Sequence, residues 1–205
     1  MLGVLAAVGA SYAIGRSRTA PSAIRHPAAP ASSAAATWRA GARRAPNFAL
    51  VDQHGKAISM KSLRGRPVVV TFIDPVCRNL CPFEAKILMN VSRRLPVDER
   101  PVIVSVSVNP WADTKTNFAV DAVHWRLGDN WRWALGNERE LATVWRRYEI
   151  GVQVLKRVIS GITLRTIVHT EASYVVDRAG YERALFLYPF SANDVEQALR
   201  DAARS

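Results

Sequence analysis

The sequence predicts an α/β domain built on a central sheet, from three observations. Two largely apolar runs free of charged residues, "PVVVTFI" (67–73) and "VIVSVSV" (102–108), have the character of strands buried on both faces. Between them, Pro82 to Leu95 repeats apolar residues at helical spacing, with Phe83, Ile87, Leu88 and Val91 on one face. Beyond them, two segments alternate about turn signals, as hairpins do. Strand, helix and strand in that order imply a right-handed crossover.

The N-terminal segments differ in character from the rest. Residues 1–15, "MLGVLAAVGASYAIG", carry no charged side chain. As a helix they reach about 22 Å, short of a hydrocarbon core of about 30 Å. Arg16 and Arg18 follow directly and no basic segment precedes, so the stretch reads as the end of a signal or anchor helix that starts upstream of Met1. That predicts an extracytoplasmic protein anchored to the membrane by its N-terminus. Residues 16–45 are rich in Ala, Pro and Ser, hold no acidic residue and show no periodicity, the marks of a linker. Its six arginines supply +6 of the net +11. A nucleic-acid partner would require basic residues gathered on an ordered face with aromatic platforms, and no such pattern is present. A basic stalk beside anionic lipid accounts for the charge more simply.

The domain proper is then 46–205. "NFALVDQHGKAISM" alternates on either side of Asp52–Gly55 and predicts an N-terminal hairpin, with His54 a plain turn residue. After the strand–helix–strand unit, helices are expected over about 114–125 and 138–148. "VQVLKRVISGITLRTIV" alternates about Ser160-Gly161, a hairpin projecting from the core and inserted before a late strand, "SYVVD" (173–177). Its Lys156, Arg157 and Arg165 read as a solvated charge run. The turn "RAG" leads to "ERALFLY" (182–188), and Ser191 and Asp194 offer caps for a last helix, about 192–203, with Val195, Leu199 and Ala202 inward. Hairpin, βαβ, helix, hairpin and helix make a thioredoxin-like arrangement.

Both cysteines fall within "DPVCRNLCPFEA" (74–85). Pro82 suits the first turn of a helix, where its missing N–H costs nothing. Cys81 then stands at the helix start and Cys77 on the loop before it. The helix N-terminus favours thiolates and Arg78 adds a positive charge, while Asp74 opposes both. A core of this size needs no disulfide to form. A bridge here would close only three intervening residues and remove little unfolded-chain entropy, which argues against a structural staple. A redox couple and two legs of a metal site both remain. Thiolates select Cu(I) or Zn, and an imidazole is the usual completing ligand. Of the four histidines, His26 is in the linker, His54 in a turn and His124 at a helix end. His169, in "TIVHTEASYVVD", precedes the late strand, where a thioredoxin-like fold brings the entering loop against the cysteine loop.

With "PNFALVDQHGK", "LRGRPVVVTFIDPVCRNLCP", "VSVNPWADT" and "VHTEASYVVDRAG" in that order, residues 46–202 resemble the Sco/SenC family. These are thioredoxin-fold copper proteins that help assemble the dinuclear copper centre of cytochrome c oxidase. The resemblance implies Cys77, Cys81 and His169 as copper ligands, the cysteines pairing as a disulfide when oxidised. The chain differs from many members at three positions: Arg78 replaces a proline after the first cysteine, Val168 an aspartate before the histidine, and Asn109 an aspartate before Pro110. An aspartate at 168 would orient the imidazole. Met1, Met60 and Met89 form no thioether cluster.

The resemblance implies a metallochaperone carrying Cu(I) or Cu(II) to the copper-bearing subunit of cytochrome c oxidase, or to another cuproprotein. A thioredoxin-like reductant would keep its thiols reduced in an oxidising compartment. The alternative is a thiol–disulfide oxidoreductase acting on a cuproprotein's cysteines, with Cys77 and Cys81 as its catalytic pair. Against it, thioredoxin's relatives carry CxxC and a cis-proline before the late strand. This chain has CxxxC, no proline between 111 and 188, and His169 in that loop. Peroxidase chemistry is disfavoured because Asp74 and Arg78 stand three residues before the two cysteines, where a threonine or serine is needed. A thioredoxin-like binding module without metal is the third reading.

Overall fold

The computed structural model describes residues 33–205; the apolar segment 1–15, residues 16–32 and with them His26 lie outside it. In chain order its elements are β1 (Ala34–Thr37), β2 (Ala49–Val51), β3 (Ala57–Ser59), β4 (Val68–Ile73), α1 (Leu80–Arg94), β5 (Val102–Ser107) and α2 (Lys115–His124). There follow β6 (Trp131–Ala134), α3 (Glu138–Arg147), β7 (Val152–Ile159), β8 (Ile162–His169), β9 (Ala172–Val176), β10 (Glu182–Leu187) and α4 (Ala192–Ala203). Six strands form the central sheet in the order β1-β10-β9-β4-β5-β6. β4, β5 and β6 run parallel, and β9, β10 and β1 continue the sheet antiparallel. β2–β3 and β7–β8 are separate two-stranded hairpins, both where the sequence predicts them. The fold is thioredoxin-like.

Every residue of β4 and β5 is buried, as apolar runs covered on both faces must be. Val68, Val70 and Phe72 of β4 face a cluster completed by Leu141 and Val144 of α3 and by Leu50 and Ile58 of the first hairpin. Val69 and Ile73 face the opposite layer, with Leu88 of α1 and Leu199 of α4. Each such side chain stabilises the fold by about 1.5–3 kcal/mol relative to exposure. A one-residue slip would exchange the two faces, so the register is fixed on both sides. Helix starts are set by capping. Thr114 accepts from Asn117 N–H, Ser191 from Asp194 N–H, and Asn137 and Glu140 form a reciprocal capping box.

Two expectations need correction, and one element is additional. α1 begins at Leu80, and Phe83 is 56% exposed rather than on the buried face. The helix lies on the sheet through Cys81, Ala85, Leu88 and Ser92, and Phe83, two residues past Cys81, is turned by about 200° from it. β6 was not foreseen; its four residues, Trp131 to Ala134, pair parallel to β5 with both tryptophans buried. Finally, the expected linker 16–45 does not extend to 45, because the domain reaches back to Ser33 among the described residues.

That N-terminal stretch is held by specific bonds. Ser33 N–H donates to Asp194 (2.7 Å) and its hydroxyl accepts from Ser191 N–H (2.9 Å). β1 then pairs along β10, with Ala36 opposite Leu185. Arg43 stacks over Trp38, 4.8 Å from the ring centroid, and its Nε lies 2.6 Å from Glu182, whose side chain is fully buried. Arg44 donates to the Tyr181 hydroxyl at 2.6 Å.

Candidate metal centre

The cysteine loop follows β4 directly. Asp74, the first residue past the strand, accepts from Val76 N–H and from the Asn109 side-chain amide, both at 3.0 Å. Its carbonyl accepts from Cys77 N–H at 3.0 Å, closing a turn. The Asn109 amide thus ties the cysteine loop to the loop after β5. An amide can donate to a buried carboxylate where a second ionised carboxylate cannot. Cys77 is partly buried, whereas Cys81, one residue into α1, is fully buried.

The second half of the site comes from the junction of β8 and β9. The β7–β8 hairpin runs in register from Ile159↔Ile162 at its tip to Val152↔His169 at its base. Ser160 and Gly161 in its turn both have positive φ (49° and 79°), as a two-residue hairpin turn demands. His169 is therefore placed by the hairpin register at the root of β8, with its side chain 4% exposed. Its Nδ1 lies 3.2 Å from the Thr170 carbonyl, and its Nε2 lies 3.2 Å from Glu171 Oε1. With the proton on Nδ1, Nε2 keeps a lone pair for a metal. Cys81 Sγ is 3.9 Å from the same Glu171 oxygen. Donor atoms of Cys81, His169 and Glu171 all lie within 4.8 Å of one another.

Electrostatics divide the two thiols. Cys77 is lowered to about 6, chiefly because the Cys81 thiol donates to it, with backbone N–H groups of Asn79 and Cys81 adding to the effect and burial and Asp74 opposing it. Cys81 is raised, by that same bond first, then by burial and by the Glu171 charge. Burial lowers the His169 imidazole, which favours its neutral, metal-binding form. Glu171 is raised by burial and by Glu84, which is itself wholly buried and raised for the same first reason. Arg78 does not serve the thiolate as expected. Its guanidinium turns to the carbonyls of Pro75 and Cys77 (3.3 and 3.0 Å) and to buried Asp121 at 3.5 Å.

The SCO1/SenC family model matches residues 37–204 of this chain. The chain belongs to the SCO1/SenC family. A SCO1 protein homolog of Bacillus subtilis (strain 168) is 30% identical over 91 residues, 43% of this chain and 47% of that relative. The match thus spans about half the relative's length. Among solved structures, Bradyrhizobium japonicum ScoI with copper bound aligns at TM-score 0.65 and 25% identity, over 78% of this chain and 98% of that one. BsSco, a member of the Sco family of cytochrome c oxidase assembly proteins in which a disulfide switch is identified, aligns at TM-score 0.61 and 20% identity, over 78% and 94%. The latter is a likeness of fold.

Of the residues singled out in the sequence, this SCO1/SenC chain brings Cys81 and His169 into one buried group, with the Cys77 thiol beside that of Cys81. His54 and His124 are exposed and away from the site, on a turn and at the end of α2. Val168 is half-exposed and paired with Gln153 on the face of the hairpin opposite to His169. Glu171 was missed. It stands immediately ahead of "ASYVV", a strand buried at every position, and no motif in the sequence singles it out.

Proposed function

We propose that this chain is a copper-binding metallochaperone that delivers copper to, or prepares, the dinuclear copper centre of cytochrome c oxidase. Cys77 and Cys81 are its thiolate ligands and His169 its imidazole ligand. The observation that carries this reading is the meeting of the Cys81 sulfur and the His169 imidazole in one buried group beside a second thiol. Soft thiolates with one imidazole suit Cu(I), and a site with few protein donors can release its ion to a client by ligand exchange. That ScoI of Bradyrhizobium japonicum binds copper, and that BsSco's family assembles cytochrome c oxidase, support the cargo and the client. The thiols must be reduced to bind, so a thioredoxin-like reductant is part of the cycle. The apolar residues 1–15 fit a membrane anchor and an extracytoplasmic domain.

Anaerobic titration of the reduced protein with copper tests this, read by absorption and mass spectrometry on wild type and His169→Ala. One-to-one binding with thiolate-to-Cu(II) charge transfer, weakened in the variant, is expected. Failure of the reduced protein to bind copper, together with disulfide reductase activity requiring both cysteines, would overturn it.

A second reading, thiol–disulfide oxidoreductase, is favoured by the split between the thiols. Cys77 is partly exposed with its thiol lowered to about 6, and Cys81 is buried and protonated. In that reaction the Cys77 thiolate attacks a client disulfide and releases one client thiolate. Cys81 then displaces the second, leaving a reduced client and a Cys77–Cys81 disulfide, which a dithiol reductant returns to thiols.

A further inference from the structure

Glu171 sits at the entry to β9 with its side chain 14% exposed, and no motif in the sequence accounts for it. Its Oε1 faces two donors at once, 3.2 Å from His169 Nε2 and 3.9 Å from Cys81 Sγ. Donor atoms held about 2.0–2.3 Å from one ion at tetrahedral angles stand about 3.3–3.8 Å apart. The two observed separations bracket that spacing, and all three donors lie within 4.8 Å of one another, so Oε1 stands on the same side as the sulfur and the imidazole, where a small inward shift would let one ion touch all three.

The carboxylate is also held from behind. Glu84, its neighbour from α1, has one oxygen engaged by the Thr71 and Ser173 hydroxyls at 2.7 and 2.6 Å. The remaining oxygens, Glu84 Oε2 and Glu171 Oε2, are buried with no partner beyond the contact between the two carboxyls themselves. Two buried acidic groups side by side are costly, and a cation bound in front of them offsets that cost. Position 168 cannot supply this carboxylate, since Val168 points to the other face of β8.

We propose that Glu171 is a fourth donor of the copper centre, completing a set with Cys77, Cys81 and His169, and that its hard oxygen selectively strengthens the hold on Cu(II). This rests on the copper reading above. Cu(I) is satisfied by thiolates and an imidazole, whereas Cu(II) takes a fuller shell in which oxygen is a suitable ligand. The centre thereby holds the oxidised ion more tightly than the cysteines and histidine alone.

Separate Cu(I) and Cu(II) titrations of wild type, Glu171→Gln and Glu171→Asp test this, with circular dichroism and thermal melts to establish that each is folded. Glu171→Gln is expected to weaken Cu(II) about ten- to a hundredfold, to shift the charge-transfer band and the EPR hyperfine pattern, and to leave Cu(I) affinity unchanged. Glu171→Asp keeps the charge on a shorter arm and is expected to lie between the two. Equal weakening of both ions, or a Cu(II) spectrum identical to wild type in a folded Glu171→Gln, would overturn the proposal while leaving the copper reading standing. Wild type that binds neither ion would overturn both.

Discussion

Cys77 keeps partial access to solvent while Cys81 is sealed at the start of α1, and the proton of Cys81 is donated to the Cys77 sulfur. That bond sets the reactivity of the pair. Alkylation of Cys77 by iodoacetamide is expected to reach half its maximal rate near pH 6, matching a thiol lowered to about 6. In Cys81→Ala the donor is gone, and the profile is expected to move up toward that of an ordinary thiol. A profile that stays in place would show that the backbone N–H groups alone lower it. The two cysteines and His169 stand out as candidates because thiol and imidazole are rare here, and the element order does bring Cys81 and His169 together. Glu171 was not, because one glutamate among 17 acidic residues carries no signal until its burial is known. Arg78 departs from expectation for a related reason: sequence proximity to Cys77 says nothing of the buried Asp121 that takes up its charge.

Elements with strong periodicity, β4, α1, β5 and the β7–β8 hairpin, were legible within a few residues. β1 and β6 were not. Alanine is depleted in strands, so "AAAT" gives no strand signal, and β1 exists only because β10 offers it an edge. β6 spans only four residues, too few to show a period, and its place is decided by two tryptophans buried against the layer that holds α2. The clip that holds the β1 segment can be measured. Burial raises Glu182 to about 7 even with Arg43 2.6 Å away, so Arg43→Ala strands a charge only above that pH, and is expected to cost up to about 3 kcal/mol in urea unfolding at pH 8. Adding Glu182→Gln removes the stranded charge, and the double variant is expected to recover most of that loss. If both variants lose the same amount, the pair holds the segment through packing alone.

For the whole molecule, buried carboxyls set a pH dependence of stability. Asp113, hydrogen-bonded by Ser107 Oγ at 2.7 Å, is pushed up by burial to about 7 from an ordinary 3.8. The native state therefore holds this proton more tightly than the unfolded chain. The stability it contributes is complete below about pH 4, is lost as pH rises to about 7, and is level beyond. Asp113→Asn removes the titration, so the wild-type Tm minus the variant Tm is expected to fall between those limits. A constant difference across thermal melts from pH 4 to 8 would contradict it. The order of the sheet has a consequence of a different kind. Cys81 and Glu171 are 90 residues apart in the chain, and they meet only where β9 lies antiparallel beside β4. A nascent chain that stops before that strand presents two loose thiols and no cage. Under the proposed function, readiness to take up a metal is thus a certificate of finished folding, issued by the last strands to be synthesised.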